Sequence, residues 1–569
     1  MLGIEAIDWA VIIFYLVGIT FIGLWAVKKV RSAASFFIGD RKFGKIMMAF
    51  FMFGSGTHSD QAVGVAAKTY QDGASGIWYQ WLWLLVTPFF WLIAPFFRRM
   101  RAVTTGDYFE VRYGRSVSGL YAAMGILPLL VAIGVMLKGS GVMVEAVSGG
   151  DIRANIAIIA MTVMFVIYGV AGGLSAAIAT NFVQGLLTIV LSFIILPFAL
   201  SKVGGMSGLR ESISDPDMLS LVSPGEITLF YIIIIAFNAL VGWVTMPETM
   251  ANCAAGKTEM EGRTGVTVGM FGKRICTIAW MLTGLCAVVM YAKLDKLADA
   301  DMAYGKMAYD LLPGIAPGLI GLFIAGILAS VMSTCDSLMV VASALFTENI
   351  YKKFLVVGKA DKHYTLIGRI ASALVVILGI FVAFNLESVV KGLEFYWMLS
   401  ALMGIAFWVG LYWRRATIAG AWAATLTSLG AFIFTSTKPL GVPWDFNVHF
   451  ADKLPAFMLC DNELYLPWQM IIYLSAGFIV MIVVSLFTKR VPAENLDRFY
   501  ECLRTPIGPD EPETTPFTLP AGVEPAPRNA LIDHPDFEIP KPSIIGVAGF
   551  LAAWAGVALL IGAVYWIIG

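Results

Sequence analysis

Charge is scarce in this chain: only 14% of its 569 residues are Asp, Glu, Lys or Arg, and the 39 basic side chains balance the 39 acidic ones. With no net charge the sequence offers no electrostatic footprint for nucleic acid, so no nucleic-acid partner is expected. Cysteine and histidine are also scarce. Cys253, Cys276, Cys286, Cys335, Cys460 and Cys502 form no CxxC pair, so neither a zinc site nor a disulfide framework follows. His58, His363, His449 and His534 are too scattered to pair on a haem or a metal. There is no GxxxxGK[ST] loop, which removes the usual means of using ATP. Cys335 and Asp336 have no neighbouring histidine, so no nucleophile is set up for catalysis and no enzyme is expected.

What the chain has in quantity is apolar surface, with 59% hydrophobic residues, 16 Trp and 38 Phe. Runs of about 20 apolar residues cross a bilayer. Fourteen such runs are read near 7–27, 46–67, 76–97, 116–147, 154–172, 176–200 and 226–252, then 266–291, 315–346, 365–385, 392–413, 416–436, 467–487 and 544–568. The first follows Glu5 and Asp8, precedes Lys28, Lys29 and Arg31, and lacks a small-residue cleavage site. It reads as a retained helix with its N-terminus outside. With that orientation the inner loops, among them 28–45 and 252–274, hold 28 Lys and Arg against 10 in the outer loops, and Lys138 alone lies within a span. The asymmetry fits a multi-pass protein of the plasma (inner) membrane, with the lipid bilayer as its surroundings.

Two spans are interrupted at mid-depth. MFGSGTHSDQ (52–61) and NALVGWVTMPET (238–249) combine Gly or Pro with polar residues, and freed backbone in a membrane is tolerated only beside a cavity or buried protein. They stand five spans apart, an odd number, so a second five-helix unit would cross in the opposite sense. The resulting organisation is an N-terminal helix and inner loop (1–45), repeats at 46–200 and 226–413, and flanking helices (414–487) with an acidic outer loop (437–466). A Pro-rich inner linker (488–543), expected to be a disordered tether, leads to the last helix (544–569). The aromatic run Trp78–Trp83 reads mainly as lipid-facing packing, although one ring could cap a pocket.

Ser333, Thr334, Asp336 and Ser337 crowd into five positions of the otherwise apolar run 315–346. Hydroxyl and carboxylate oxygens suit a small hard cation, and polar groups within spans mark ion paths. The hydroxyls alone have a second explanation, bonding to their own i−4 carbonyls. Asp336 does not share it, although pairing with Lys138 or Arg274 would also account for its charge.

The stretch ILASVMSTCDSLMVVASALFTENIY (327–351) resembles the eighth core helix of the sodium:solute symporter family. FFIGDRKFG, TTGDYFEVRYG (104–114) and GLYWRRATIAGAWA (410–423) agree, so the resemblance runs from about residue 7 to 435. It implies an all-α polytopic LeuT-like fold of two inverted five-helix repeats with flanking helices. It also implies a sodium site made of the Ser333 and Thr334 hydroxyls and the backbone carbonyls of Ser330, Gly54 and Thr57. Some members have a second sodium site with an Asp in a T-D-x-x-Q context. Here that context reads Thr180-Asn181-Phe182-Val183-Gln184, leaving Asp336, with Ser333, Ser337 and Asn181, to supply the charge from the facing helix.

Positions that match the family's solute contacts are Gln61, Gln80, Met246, Tyr396 and Trp397. Sugar carriers of the family tend to have Glu at the place of Gln80 and Asn at that of Met246, which argues against a sugar. Lys138 could meet a solute carboxylate or neutralise Asp60 or Asp336; His58 and Asp60 could respond to protons, and Glu248 could serve an inner gate. The expected function is sodium-coupled import of a small organic solute by alternating access, with one chain sufficient. Proton coupling and an uncoupled channel or sensor on the same fold are the alternatives.

Overall fold

The computed structural model describes residues 4–27, 43–102, 104–291, 297, 299–437, 443–508, 511–512 and 515–569, side chains at 23–27, 167–179 and 251 excepted. Most of the inner loop 28–45, and with it FFIGDRKFG up to Lys42, lies outside the described residues. The rest is built almost entirely of helices, and each apolar run falls on one or more of them. Among the described residues nine helices are long and apolar enough to cross a membrane, ten if one bent pair counts as a single span, and shorter apolar helices account for the remaining runs.

The helices that position the site are α1 (Ala6–Val27), α2 (Lys45–Gly56), α3 (Ser59–Asp72), α4 (Trp78–Arg99), α5 (Thr105–Tyr113) and α6 (Arg115–Val147). Next come α7 (Ala154–Phe193), α8 (Leu229–Trp243), α9 (Pro247–Ala254), α10 (Glu259–Tyr291) and α11 (Leu319–Ala344). The chain ends with α12 (Asp361–Asn385), α13 (Val389–Ala401), α14 (Gly404–Tyr412), α15 (Ile418–Phe434), α16 (Leu466–Phe487), α17 (Ala493–Arg504) and α18 (Ile544–Ile568). The expected gap at 173–175 lies in the stretch of α7 whose side chains are not described.

Both interruptions read from the sequence are breaks in helix. Between α2 and α3, Thr57 (φ −122°, ψ 113°) and His58 (φ −138°, ψ 161°) are extended, so carbonyls at the end of α2 lose their helical partners. Between α8 and α9 the axis turns by 64°, with Pro247 starting the second half, where its missing N–H is harmless. α10 packs along α2 and α3, while α11 packs on α7, α6 and α1. The α10–α2 approach depends on small residues, since a Cβ at Gly265 or Gly269 would lie 2.7 Å from Met48 Cβ or Met52 Cβ. Close contact of this kind stands in for the hydrophobic drive that lipid removes between helices.

The Pro-rich segment expected to be disordered is instead a strap packed across one face of the protein. Tyr500 of α17 donates to Gly410 O at 2.7 Å, and the buried Arg112 guanidinium donates to Gly410 O at 2.9 Å and Trp413 O at 2.8 Å. Phe517 is 0% exposed and stacks on Phe499 at 5.0 Å. Arg101 makes a two-pronged ion pair with Glu511 at 2.6 and 2.9 Å, and Arg414 binds Glu538 at 2.9 Å. Composition suggested disorder because Pro and Glu dominate the segment. Its few aromatic and acidic side chains nevertheless have fixed partners on α4–α6 and α14, which no count of residues reveals.

The run Trp78–Trp83 also departs from its expected lipid-facing role. Trp81 is fully buried and donates to Arg274 O at 3.2 Å, and Trp78 donates to Leu221 O at 2.7 Å. A buried indole needs a partner for its N–H, and here protein carbonyls provide it.

Candidate ion and solute site

The α2–α3 break meets α11 in a corner lined by neutral oxygens. Ser333 Oγ donates towards Gly54 O and Ser330 O, 3.0 Å from each, and Thr334 Oγ1 lies 3.3 Å from Ser330 O. The backbone N–H of Ser59, two residues past Thr57, donates to Ser330 Oγ at 3.2 Å. Thus Gly54, Ser330, Ser333 and Thr334 come together as expected from the sequence, and Thr57 is buried in the connecting extended turn. Gly54 has to be glycine here, because a Cβ would lie 2.9 Å from Asn181 O.

That contact also brings Asn181 to the corner. Its side-chain amide is buried with no hydrogen-bond partner among the described residues. Nearby, Gln184 Nε2 donates to Tyr15 OH at 3.4 Å. Asp336 is buried and close enough to Tyr15 to act on it electrostatically. Ser337 bonds back to Ser333 O at 3.1 Å, the local satisfaction weighed for the hydroxyls from sequence.

Beside the break is a cavity of about 100 Å³. Its lining includes His58, Asp60, Gln61, Gln80, Met246 and Glu248, and also Tyr396, Trp397, Thr334 and Ser337, all singled out from sequence. His58 Nδ1 lies 2.8 Å from Asp60 Oδ1, and Gln61 Nε2 lies 3.1 Å from His58 Nε2. With the Gln61 amide N–H donating to His58 Nε2, it is His58 Nδ1–H that donates to Asp60 Oδ1. Tyr396 OH reaches Glu248 Oε1 at 3.2 Å and Met246 Sδ at 3.5 Å, tying α13 to the α8–α9 break.

Next to Trp397 of the lining, Tyr79 stacks on Tyr231 at 6.5 Å, meets Trp397 at a tilt at 5.4 Å, and donates to Glu394 at 2.6 Å. Beyond it Lys68 bridges Asp72, at 2.5 Å, and Glu226.

Lys138 does not reach this cavity. It is half-buried on α6, forms no ion pair with Asp60 or Asp336 among the described residues, and acts electrostatically on Asp301 in the segment after α10. The basic residues that do line the cavity are Lys273 and Arg274, which the sequence reading assigned to the inner loop ending at 274. α10 in fact starts at Glu259, so both sit about 21 Å along it at 1.5 Å per residue. The available signal was two adjacent basic residues inside the apolar run from Val266.

Two helices broken at equivalent positions of the two halves, an oxygen-lined corner and an adjoining cavity together define a secondary transporter. Residues 36–428 match the sodium:solute symporter family, and the chain belongs to that family. It is a multi-pass membrane protein and a sodium-coupled symporter of a small solute, not an enzyme. It is 24% identical over 503 residues to the osmoregulated proline transporter OpuE of Bacillus subtilis, covering 85% of this chain and 96% of that one. It is 24% identical over 431 residues to the sodium/pantothenate symporter of Haemophilus influenzae, covering 73% and 86%. The fold matches a substrate-bound, outward-open Na+-coupled sialic acid symporter with a TM-score of 0.71 at 18% identity, covering 86% of this chain and 99% of that one. The architecture is therefore the LeuT-like one.

Proposed function

We propose that sodium binds where α2, its break and α11 meet, held by the carbonyls of Gly54, Thr57 and Ser330 and the hydroxyls of Ser333 and Thr334, while a small organic solute occupies the adjoining cavity. The observation that carries this reading is Ser333 Oγ lying 3.0 Å from both Gly54 O and Ser330 O, so that oxygens from two helices already converge. An ion shared between the broken helix and α11 favours one arrangement of the repeats, 46–200 and 226–413. Solute needs the same arrangement, so each ligand tightens binding of the other. The gradient and the membrane potential, worth about 2.3 kcal/mol per charge per 100 mV, then drive import.

The solute contacts are Gln61, Gln80, Met246, Tyr396 and Trp397, with Glu248 as a gate residue on the strap side. A second sodium is held by Asp336, Ser337 and Asn181, a reading supported by the partnerless Asn181 amide beside Gly54. The chain works as a monomer in the plasma membrane with its N-terminus outside and the strap inside, consistent with 26 of its 39 Lys and Arg in inner loops once Lys273 and Arg274 are assigned to α10.

The test is the melting temperature of the purified protein in sodium, potassium and choline chlorides at matched ionic strength. A sodium-specific rise, absent in Ser333→Ala/Thr334→Ala, is expected. Equal melting in all three salts across a range of pH would sink the sodium site and favour proton coupling through the His58–Asp60 pair. For the second ion, Asp336→Asn is expected to lower the sodium Hill coefficient of uptake; an unchanged coefficient removes that site.

A further inference from the structure

Lys273 and Arg274 give the cavity a chemical character that the family assignment does not. Arg274 is 0% exposed and Lys273 5%, both line the cavity, and neither has a carboxylate within 4 Å among the described residues. The two carboxylates in the lining are engaged elsewhere, Asp60 with His58 Nδ1 at 2.8 Å and Glu248 with Tyr396 OH at 3.2 Å. A buried, unpaired cation is costly, and the cost is recovered when an anion arrives.

The geometry of Arg274 indicates which anion. Its Nη1 is anchored on Gln80 O at 2.5 Å, which fixes the plane of the guanidinium. Among the described residues Nε has no acceptor, and Nη2 meets the thioether of Met270 at 3.5 Å and no other partner. Nε–H and Nη2–H share the side edge of the guanidinium, the pair of donors that matches the two oxygens of a carboxylate. The rest of the lining includes the apolar rings of Trp83, Trp243 and Trp397.

We propose that the solute carries a carboxylate, received by the Nε–Nη2 edge of Arg274 with the Lys273 ammonium beside it. This rests on the cavity being the solute site. Organic acids and amino acids share the carboxylate; they differ in whether an ammonium is present to meet Glu248 Oε2, which has no hydrogen-bond partner among the described residues.

The experiment uses full-length protein in liposomes with an inward sodium gradient. The labelled panel is pyruvate, hexanoate, L-proline, L-leucine, D-glucose and myo-inositol, with hexanamide and L-prolinamide as uncharged-head competitors. Sodium-driven uptake of at least one carboxylate is expected, uncompeted by its amide and with neither polyol transported. Uptake of hexanoate or pyruvate alone identifies an organic acid, and uptake of proline or leucine that Glu248→Gln abolishes identifies an amino acid. Arg274→Gln should weaken the apparent affinity about 30-fold. Its melting temperature should still rise with sodium, which separates loss of the carboxylate contact from misfolding, and Arg274→Lys should recover part of the affinity. Transport of a neutral solute, competition by an amide as good as by its acid, unchanged affinity in Arg274→Gln, or no uptake from the panel would each overturn the proposal. A wild-type protein whose melting does not respond to sodium would instead overturn the underlying sodium site.

Discussion

The two sides of the α2–α3 break treat buried polarity in opposite ways. At the Ser330–Thr334 corner the groups are neutral dipoles that bond to one another, Ser333 to Gly54 O and Ser330 O, Thr334 to Ser330 O. Across the cavity, Lys273 and Arg274 are formal charges with no ion pair among the described residues. Neutral oxygens that satisfy each other stay buried at little cost, which suits an ion that binds and leaves in every cycle. A buried guanidinium such as Arg274 cannot do so without an anion, and on the proposed reading this makes the cavity selective by charge. On the proposed reading the corner specifies the driving ion, and the cavity wall specifies what accompanies it.

The largest effect should come from perturbing the oxygen corner. Gly54→Ala puts a Cβ 2.9 Å from Asn181 O, a backbone atom that cannot swing away, and should cost about 1–3 kcal/mol of stability along with the sodium-induced rise in melting temperature. Intact sodium response in this variant would mean that the α2–α7 approach does not shape the corner. A smaller effect of opposite sign is expected across the cavity. Arg274→Met should stabilise the solute-free protein by about 1 kcal/mol, read as a higher melting temperature, because an unpaired charge is replaced by apolar volume. Destabilisation would show that the guanidinium is structurally satisfied and would blur the contrast.

The smallest effect should appear at Asp301, which handles buried charge in a third way. Burial is the main cause pushing its pKa up to about 6, with Asp299 adding to the rise; the Val389 N–H at 2.9 Å and Lys138 oppose it. The folded state therefore binds this proton before the unfolded state does. The Asp301 contribution to stability rises as pH falls through 6 towards 4 and is lost on the way back up. Asp301→Asn should flatten that part of the curve of melting temperature against pH; an unchanged slope would assign it to other groups.

Much of the fold was legible because a bilayer leaves so few options. Apolar runs of sufficient length must be helices, and Gly54 and Pro247 among polar neighbours must mark breaks. The oxygen corner was legible through the family resemblance of the stretch 327–351, because Ser333 and Thr334 by themselves are also explained by bonds to their own helix, as Thr334 to Ser330 O shows. The strap was not, since Glu511 and Phe517 acquire meaning only from Arg101 and Phe499, distant in the chain or separated by prolines. Lys138 misled because a basic residue within a span looks like a binding group whichever way it points.

By itself the sequence determined the membrane architecture, the two breaks and the oxygen-bearing face of α11, because hydropathy and helix-breaking are local properties; Gln61, Gln80, Met246, Tyr396 and Trp397 were legible only through the family resemblance. Only the tertiary structure decided which charges face the cavity. Lys273 and Arg274 are adjacent on a helix whose start lies in an apparent loop, and whether such residues end in water or beside a solute depends on how α10 packs against α2 and α4. That packing is set by contacts between residues some two hundred positions apart, and no local pattern encodes it.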